Sequence, residues 1–291
     1  MGTLLTFSFM GPASLAALFS LLLLLEAIRP LRRRKRALGP RLVLNLCLSA
    51  TVFAAGGYVV RPVALWGATW AGDRSLGLLL FFPLPFWAQF ICGFVLMDLT
   101  FYYWHRLNHT RALLWRFHNV HHVDPDLDVS TSFRFHLAEI LYSTAFRILQ
   151  VCLVGIAPLT YVIYELVFQG ATMFHHSNLK LPVRWERRLN KVMVTPRMHG
   201  VHHSVIGRET NSNYSVIFSW WDRVHGSLRL NVHQADLIIG VPGYLLPGDN
   251  RFFTLLKLPF LRQRPYWRWP SGKASARKAV AETTDQRLII E

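Results

Sequence analysis

The chain has 291 residues, of which 52% are hydrophobic, and a formal net charge of +16. Such an apolar chain is not an ordinary soluble domain and is typical of a membrane protein. We expect no nucleic-acid partner, because the basic residues flank apolar runs and no nucleic-acid-binding motif is present. The three cysteines, Cys47, Cys92 and Cys152, lie inside apolar runs and form no CxxC pair, which excludes a thiolate metal site and a disulfide framework.

The first predicted membrane span covers residues 3–28 and is followed by a basic loop. A signal peptide is excluded because the run has no basic start and too long an apolar core. Residues 29–41 carry seven basic side chains. Positive charge next to a span marks its cytoplasmic end, so we predict that this loop is cytoplasmic and that the N-terminus is outside.

Three further apolar stretches continue the predicted topology. Residues 42–60 form the second span, residues 61–77 a short external loop, and residues from about 78 to 103 the third span. The apolar run 137–174 is interrupted at residues 155–158, which predicts a helical hairpin. The predicted fold class is therefore an all-α integral membrane protein with about four transmembrane helices, the last pair a hairpin, and a cytoplasmic helical cap.

Histidines dominate the cap. Eleven of the thirteen histidines lie between residues 105 and 203. The sequence HxxxH at 105–109 and the two HxxHH triples at 118–122 and 199–203 place imidazoles three and four residues apart, on one side of a helix. Eight imidazoles exceed the about four ligands of one tetrahedral ion, which predicts a site for two metal ions. An all-nitrogen set suits iron, zinc or copper better than magnesium or calcium.

Other polar residues give smaller expectations. Asp98 and Tyr102 share a helical stripe with His105, so we expect Asp98 to accept the second N–H of a metal-bound imidazole. The acidic stretch 124–128 lacks the glycine and glutamate of a calcium loop and predicts a solvated turn. Residues 262–278 are basic and aromatic, which favours a tail lying on anionic lipid.

Several motifs in the same order resemble one family. HRLNH, HNVHH, FHHSN and HGVHH, with DLTFYYWHR before the first and NYSVIFSWWDRVHGSL after the last, look like the histidine boxes of the fatty acid hydroxylase / sterol desaturase superfamily, in its bacterial sterol desaturase type. The resemblance covers residues from about 90 to 230. Ser215 and His225 replace the glycine and phenylalanine usual in the closing motif, so His225 is not expected to be a ligand.

The resemblance implies a site and a chemistry. Members of the family are membrane oxygenases that use two iron ions and O2 to hydroxylate or desaturate lipids. The implied metal ligands are His105, His109, His118, His121, His122, His136, His175, His199, His202 and His203. Whether His136 or His176 is a ligand stays open. Asp98, Tyr102, Glu139, Asn213 and Asp222 are candidates for holding the ligands in place.

The implied partners are a lipid substrate, the bilayer and a separate electron-donor protein. A separate donor is expected because the chain has no dinucleotide-binding fingerprint, haem motif or iron–sulfur cysteine pattern. The two rival functions are a membrane zinc hydrolase, which would need a base such as the glutamate of HExxH, and a metal transporter. The expected location is a bacterial inner membrane with the site on the cytoplasmic side. The expected units are residues 1–90 (membrane helices and basic loop), 91–232 (catalytic domain) and 233–291 (basic tail).

Overall fold

The structure is a computed structural model and describes residues 2–277, with side chains from residue 11 onward. The described part is all-helical, and its only β pairing is in isolated bridges. The longer helices are α1 (Gly2–Ile28), α2 (Leu38–Ala55), α3 (Arg61–Asp73), α4 (Phe86–Thr110), α5 (Ala112–His122), α6 (Leu137–Val154) and α7 (Pro158–His176). Shorter helices follow: α8 (Val183–Leu189), α9 (Pro196–His202), α10 (Gly207–Thr210), α11 (Trp220–Val224) and α12 (Phe252–Lys257).

Four helical stretches are long and apolar enough to cross a membrane. They are Gly11–Ile28, Leu38–Phe81, Phe86–Thr110 and Leu137–Val154. Spans of this length match the ~30 Å of a bilayer's hydrocarbon core at 1.5 Å per residue. The all-α, multi-pass fold class is confirmed.

The predicted external loop at residues 61–77 is wrong, because most of it is helix. A π-helical turn, Gly56–Val60, joins α2 directly to α3. Pro62, which lacks the N–H of a helical hydrogen bond, is the second residue of α3 and lies directly beyond the π-helical turn. The small residues of α3 then allow close packing on α6: Gly67 lies against Ile148 and Val151. Glycine and proline are typical of loops in a sequence, but in α3 they lie within a helix, where Gly67 allows α3 to pack closely on α6.

The predicted hairpin is confirmed as α6 and α7, joined by a three-residue turn. Gly155 has φ 73° and Gly77, on the neighbouring loop, has φ 123°. A Cβ atom on Gly77 would lie 2.4 Å from the Cα of Gly155, so only glycine permits this contact. Arg147 of α6 pairs with Glu165 of α7 at 2.9 Å, which satisfies both charges within the helical pair.

At the opposite end, the basic loop binds the acidic stretch 124–128. The Arg41 guanidinium donates to Asp124 at 2.8 Å and also pairs with Asp128. Burial raises the pKa of Asp124, but the charges of Arg41 and Arg134 lower it to about 2. The expectation of a solvated turn is therefore wrong, since Asp124 is fully buried and serves as a counterion. The sequence reading missed this pairing because the two charged segments are more than 80 residues apart.

The described part of the C-terminal tail, residues 233–277, packs on the helical cap. Tyr266 and Trp267 lie against Trp115 of α5, with ring centroids 5.9 Å away in each case. Arg264 pairs with Asp249, and Arg277 pairs with Glu209 at 2.7 Å. The expectation that the tail's aromatic residues lie on lipid is wrong for Tyr266 and Trp267, which pack inward. Residues 278–291 lie outside the described residues.

Candidate metal centre

Nine buried histidines meet where α4, α5, α7 and α9 converge. The first group holds five imidazoles and the second holds four, and the ligand atoms within each group lie within 4.8 Å of one another. The first group is His105, His109, His118, His122 and His202; the second is His121, His176, His199 and His203. Each of the two adjacent groups could hold a metal ion.

Each HxxHH triple divides between the two groups. On α5, His118 and His122 belong to the first group while His121 faces the second. The second triple does the reverse: His199 and His203 belong to the second group and His202 to the first. Helical geometry explains the division, because residues i and i+4 are offset by about 40° around the axis whereas i+3 and i+4 differ by about 100°. Each helix therefore supplies both groups.

Hydrogen bonds orient the first group. Nδ1 of His105 donates to the Tyr214 carbonyl at 2.7 Å, and Nδ1 of His202 donates to the Ser212 carbonyl at 2.7 Å. Nδ1 of His118 donates to a Glu139 carboxylate oxygen at 2.8 Å. A donor bond at Nδ1 leaves the lone pair on Nε2. The Nε2 atoms of His118 and His202 are buried and have no hydrogen-bond partner among the described residues.

In the second group the Nε2 atoms contact one another. The separations are 3.0 Å from His176 to His121, 3.0 Å from His199 to His176, and 3.1 Å from His203 to His199. Nitrogens bound about 2.0–2.1 Å from one shared ion stand at similar distances from each other. Burial, with smaller contributions from neighbouring imidazoles, lowers the pKa of His121, His199 and His203 well below the usual value. These rings are therefore neutral and can coordinate a metal.

Two histidines expected as ligands lie outside both groups. Nε2 of His136 donates to the Leu256 carbonyl at 3.0 Å and its Nδ1 accepts from the Ala138 N–H at 3.1 Å, so neither nitrogen is free for a metal. His175 packs against His199 and donates from Nδ1 to the Val216 carbonyl. The structure brings in His176 instead, the neighbour that the sequence left open. The expectation that His136 is a metal ligand is therefore wrong.

Asp98 does not contact a histidine, contrary to expectation. Its carboxylate accepts from the Phe218 N–H at 3.0 Å and from Trp221 Nε1 at 2.7 Å. The loop that carries Tyr214 lies alongside α4, and its backbone takes the hydrogen bond of His105 that was expected to go to Asp98. Asp98 thus anchors the loop rather than the imidazole.

The remaining candidates hold the backbone that orients the histidines. Asp222 accepts from the N–H groups of Tyr214 and Ser215, each at 2.9 Å. Asn213 adopts a left-handed φ of 53° and donates its amide to the Met198 carbonyl. The Tyr102 hydroxyl lies 2.8 Å from Ser227 Oγ. Of the five candidates, only Glu139 is hydrogen-bonded to a histidine of the two groups.

Backbone carbonyls are the functional groups that the sequence did not indicate. Those of Ser212, Tyr214 and Arg134 accept from histidines of the two groups. Every residue carries a carbonyl, so only the fold shows which of them is used. The closing motif of the sequence gives an indirect indication of these carbonyls, because its Asn213 and Asp222 hold the backbone of residues 213–215 in place.

A largely apolar groove of about 760 Å³ runs between α4 and α6. Trp104, Leu107, Ala145 and Phe146 are among the residues that line it. Tyr142, at its wall, donates to Asn108, which lies on α4 between two histidines of the first group. None of the residues that line the groove belongs to either histidine group, and Asn108 links the groove wall to the helix that carries His105 and His109.

Comparison with known proteins identifies the domain. Residues 90–227 match the model of the Fatty acid hydroxylase family. The ornithine lipid hydroxylase OlsE of Rhizobium tropici is 31% identical over 182 residues, 62% of this chain and 52% of that protein. Cholesterol 25-hydroxylase of Rattus norvegicus is 28% identical over 159 residues, 54% of this chain and 52% of that protein. Alkylglycerol monooxygenase of Xenopus tropicalis is 25% identical over 166 residues, 57% of this chain and 35% of that protein.

The matched residues 90–227 hold all nine histidines of the two groups, and the match confirms the resemblance of the histidine motifs to the fatty acid hydroxylase family. The chain spans about half the length of the first two relatives. No solved structure matches the chain.

Proposed function

We propose that this protein is a membrane oxidoreductase that uses O2 and two iron ions to hydroxylate or desaturate a lipid. The observation that carries the proposal is the pair of buried imidazole groups within a fatty acid hydroxylase domain. Iron bound there would supply the reduction of O2 that the cleavage of an unactivated C–H bond requires. For hydroxylation the balance is R–H + O2 + 2 e⁻ + 2 H⁺ → R–OH + H2O.

The chain's own residues keep the site neutral and oriented. Glu139 and the carbonyls of Ser212 and Tyr214 hold the Nδ1 protons, so that Nε2 lone pairs are directed to the metal positions. Burial removes the water that would solvate a charged ring, so the imidazoles stay uncharged instead of becoming mutually repelling cations. The set contains no thiolate that oxygen would attack.

The rival functions fit the geometry less well. A zinc hydrolase of the HExxH type needs a glutamate base within the metal-binding motif, but neither HNVHH nor HGVHH contains one. A transporter needs ligands along a path across the membrane, whereas the nine histidines form one cluster where four helices converge.

The substrate we propose is a membrane lipid whose chain lies in the groove between α4 and α6. The relatives' names refer to an ornithine lipid, to cholesterol and to an alkylglycerol. All three are molecules of the bilayer, and the groove opens on the outer faces of two candidate spans. The sterol, fatty acyl, carotenoid and ether lipid classes are all retained.

For the topology, we propose that the basic loop and the metal centre are cytoplasmic, in a bacterial inner membrane, with the N-terminus outside. A separate protein supplies the electrons. We retain residues 1–90, 91–232 and 233–291 as the three units of the chain.

Lipid analysis tests the proposal. Lipid extracts of cells with and without the protein are compared by mass spectrometry. We expect one lipid class to gain ~16 mass units on hydroxylation or to lose ~2 on desaturation, and to do so only with O2 present. An O2-independent change, or ester cleavage supported by zinc, would contradict the proposal.

A further inference from the structure

A strongly basic surface lies on the tail, over helix α5. Residues 261–277 contain five basic side chains and no acidic one. Arg264 and Arg277 are paired with carboxylates. Arg262, Arg268 and Lys273 are exposed and have no carboxylate partner within residues 11–277. We call residues 262–277 the tail surface.

The tail surface is connected to the metal centre through one buried ring. Trp267 is partly exposed, and its ring centroid lies 5.9 Å from that of Trp115, with 33° between the planes. Trp115 is buried and lies 4.9 Å from the His109 ring and 5.2 Å from the His122 ring. Both histidines belong to the first group. Thus a single side chain separates the surface tryptophan from the imidazoles.

The composition of the tail surface favours a protein over a bilayer as its occupant. An element that lies on lipid needs large apolar side chains exposed beside its charges. Within 262–277 the aromatic side chains Tyr266, Trp267 and Trp269 are only partly exposed, and the exposed large apolar side chains, Phe260 and Leu261, lie just before it. The exposed charges of the tail surface are all basic, which suits a partner that presents carboxylates, because complementary charge steers encounter and fixes orientation.

We propose that the tail surface docks an acidic one-electron carrier protein, and that its electrons reach the first histidine group through Trp267 and Trp115. This inference rests on the proposed function. In each docking the carrier is oxidised by one electron and one metal ion of the centre is reduced by one. Two dockings supply the two electrons in the overall balance above. The packing of Trp267 on Trp115 brings a surface-bound donor close to a centre that is otherwise buried.

Binding tests the docking surface separately from activity. The iron-loaded protein is placed in nanodiscs of zwitterionic lipid and titrated with an acidic [2Fe–2S] ferredoxin as the probe. We expect Arg268→Glu/Lys273→Glu to weaken binding about 10-fold or more at low salt, with a smaller effect at high salt. The matched control is Arg184→Glu/Arg188→Glu, which makes the same change in net charge at exposed positions of helix α8. The control is expected to bind the probe like the wild type.

Reduction kinetics test the route. At saturating ferredoxin, Trp267→Leu is expected to slow reduction of the centre by ferredoxin, while reduction by dithionite stays at the wild-type rate. Equal reduction rates by ferredoxin in Trp267→Leu and the wild type would overturn the route.

Three results would overturn the docking surface. The first is unchanged binding in the tail variant, and the second is an equal loss in the α8 control. The third is a loss seen only when the nanodiscs contain anionic lipid, which would assign the surface to the bilayer. Dithionite reduction and iron content are measured on the same samples. A centre that holds no reducible metal would refute the proposed function. The ferredoxin-binding measurement would still test the docking surface, because it does not depend on reduction of the metal.

Discussion

Glu139 accepts a hydrogen bond from Nδ1 of His118 at 2.8 Å, and both side chains are buried. A carboxylate in this position fixes the imidazole tautomer and makes the ligand more basic. We expect Glu139→Gln to weaken metal affinity about 10- to 100-fold, the range typical of lost partners of metal ligands. Metal titration of the purified variant measures the change. As the control, Glu165→Gln alters a carboxylate of the same helical pair that has no histidine partner in the described residues, and should keep wild-type affinity.

The division of each triple predicts which ion a histidine variant loses. His121→Ala removes a ligand of the second group, and His122→Ala, at the next residue, removes one of the first. We expect each variant to retain about one of two ions, and the double variant to retain almost none. Iron content per chain gives the answer. His136→Ala serves as the control and should retain both ions, because both of its ring nitrogens already bond to backbone.

The contacts of Asp98 predict an effect of its substitution on stability rather than a direct effect on metal affinity. Its carboxylate accepts three N–H bonds from residues 217–221. In Asp98→Asn, an amide N–H₂ would face one of those donors, leaving a buried polar group unsatisfied at a cost of about 1–3 kcal/mol. The melting temperature of the metal-free variant should fall, whereas that of Asp73→Asn, which alters an exposed aspartate, should not. An unchanged melting temperature with weakened metal binding would instead favour direct action on the imidazole.

These outcomes show what the sequence could and could not predict. The spacing of histidines indicated two metals because i, i+3 and i+4 positions must share a side of a helix. It did not reveal that His121 and His122 diverge to different groups, since a difference of about 100° matters only once the second helix is in place. Asp98 was misread for a related reason: a stripe on α4 shows which residues share a face, but not that the 214–221 loop supplies the donors to Asp98 and the carbonyl that accepts from His105.

The sequence predicted those membrane helices that apolar composition alone is enough to identify. Residues 11–28 and 86–110 are apolar enough to be recognised without tertiary information. Helix α3 was missed because Pro62 and Gly67 are also loop residues, and only contact with α6 shows that Gly67 permits close packing. Burial of Asp124 likewise depends on Arg41, which no local pattern links to it.

The Arg41–Asp124 pair makes a prediction about pH. With Arg41 and Arg134 present, the Asp124 pKa is depressed to about 2, so this carboxylate contributes stability above its unfolded pKa of about 3.9 and loses it as pH falls through 2. In Arg41→Gln the buried carboxylates lose their main partner, at a cost of about 3–5 kcal/mol near neutral pH. Without Arg41 the folded pKa of Asp124 rises from its low wild-type value, so the deficit should shrink as pH falls and protonation neutralises the group.

The melting temperatures of Arg41→Gln and the wild type, measured between neutral and acidic pH, test whether the deficit shrinks as pH falls. Arg33→Gln, at an exposed position of the same loop, is the control and should be nearly neutral at every pH. A deficit in Arg41→Gln that grows on acidification would refute the assigned role of the pair.

The groove between α4 and α6 can be tested by filling it. Ala145 lines the groove, whereas Leu153 is exposed on the same helix outside it. We expect Ala145→Trp to raise the KM for lipid or abolish turnover while both ions stay bound, because the bulky ring occupies the space proposed for the lipid chain. Leu153→Trp should behave like the wild type. Equal turnover in the two variants would place the lipid elsewhere.

The most direct test of the central claim is a single-turnover experiment on the purified protein in nanodiscs containing its host's lipids. The protein is loaded with iron, reduced without air, and then exposed to O2, and iron per chain and oxidised lipid per chain are measured together. The account predicts two irons per chain and lipid product that forms only when iron, reductant and O2 are all present. Product formed equally well with zinc, or without O2, would contradict it.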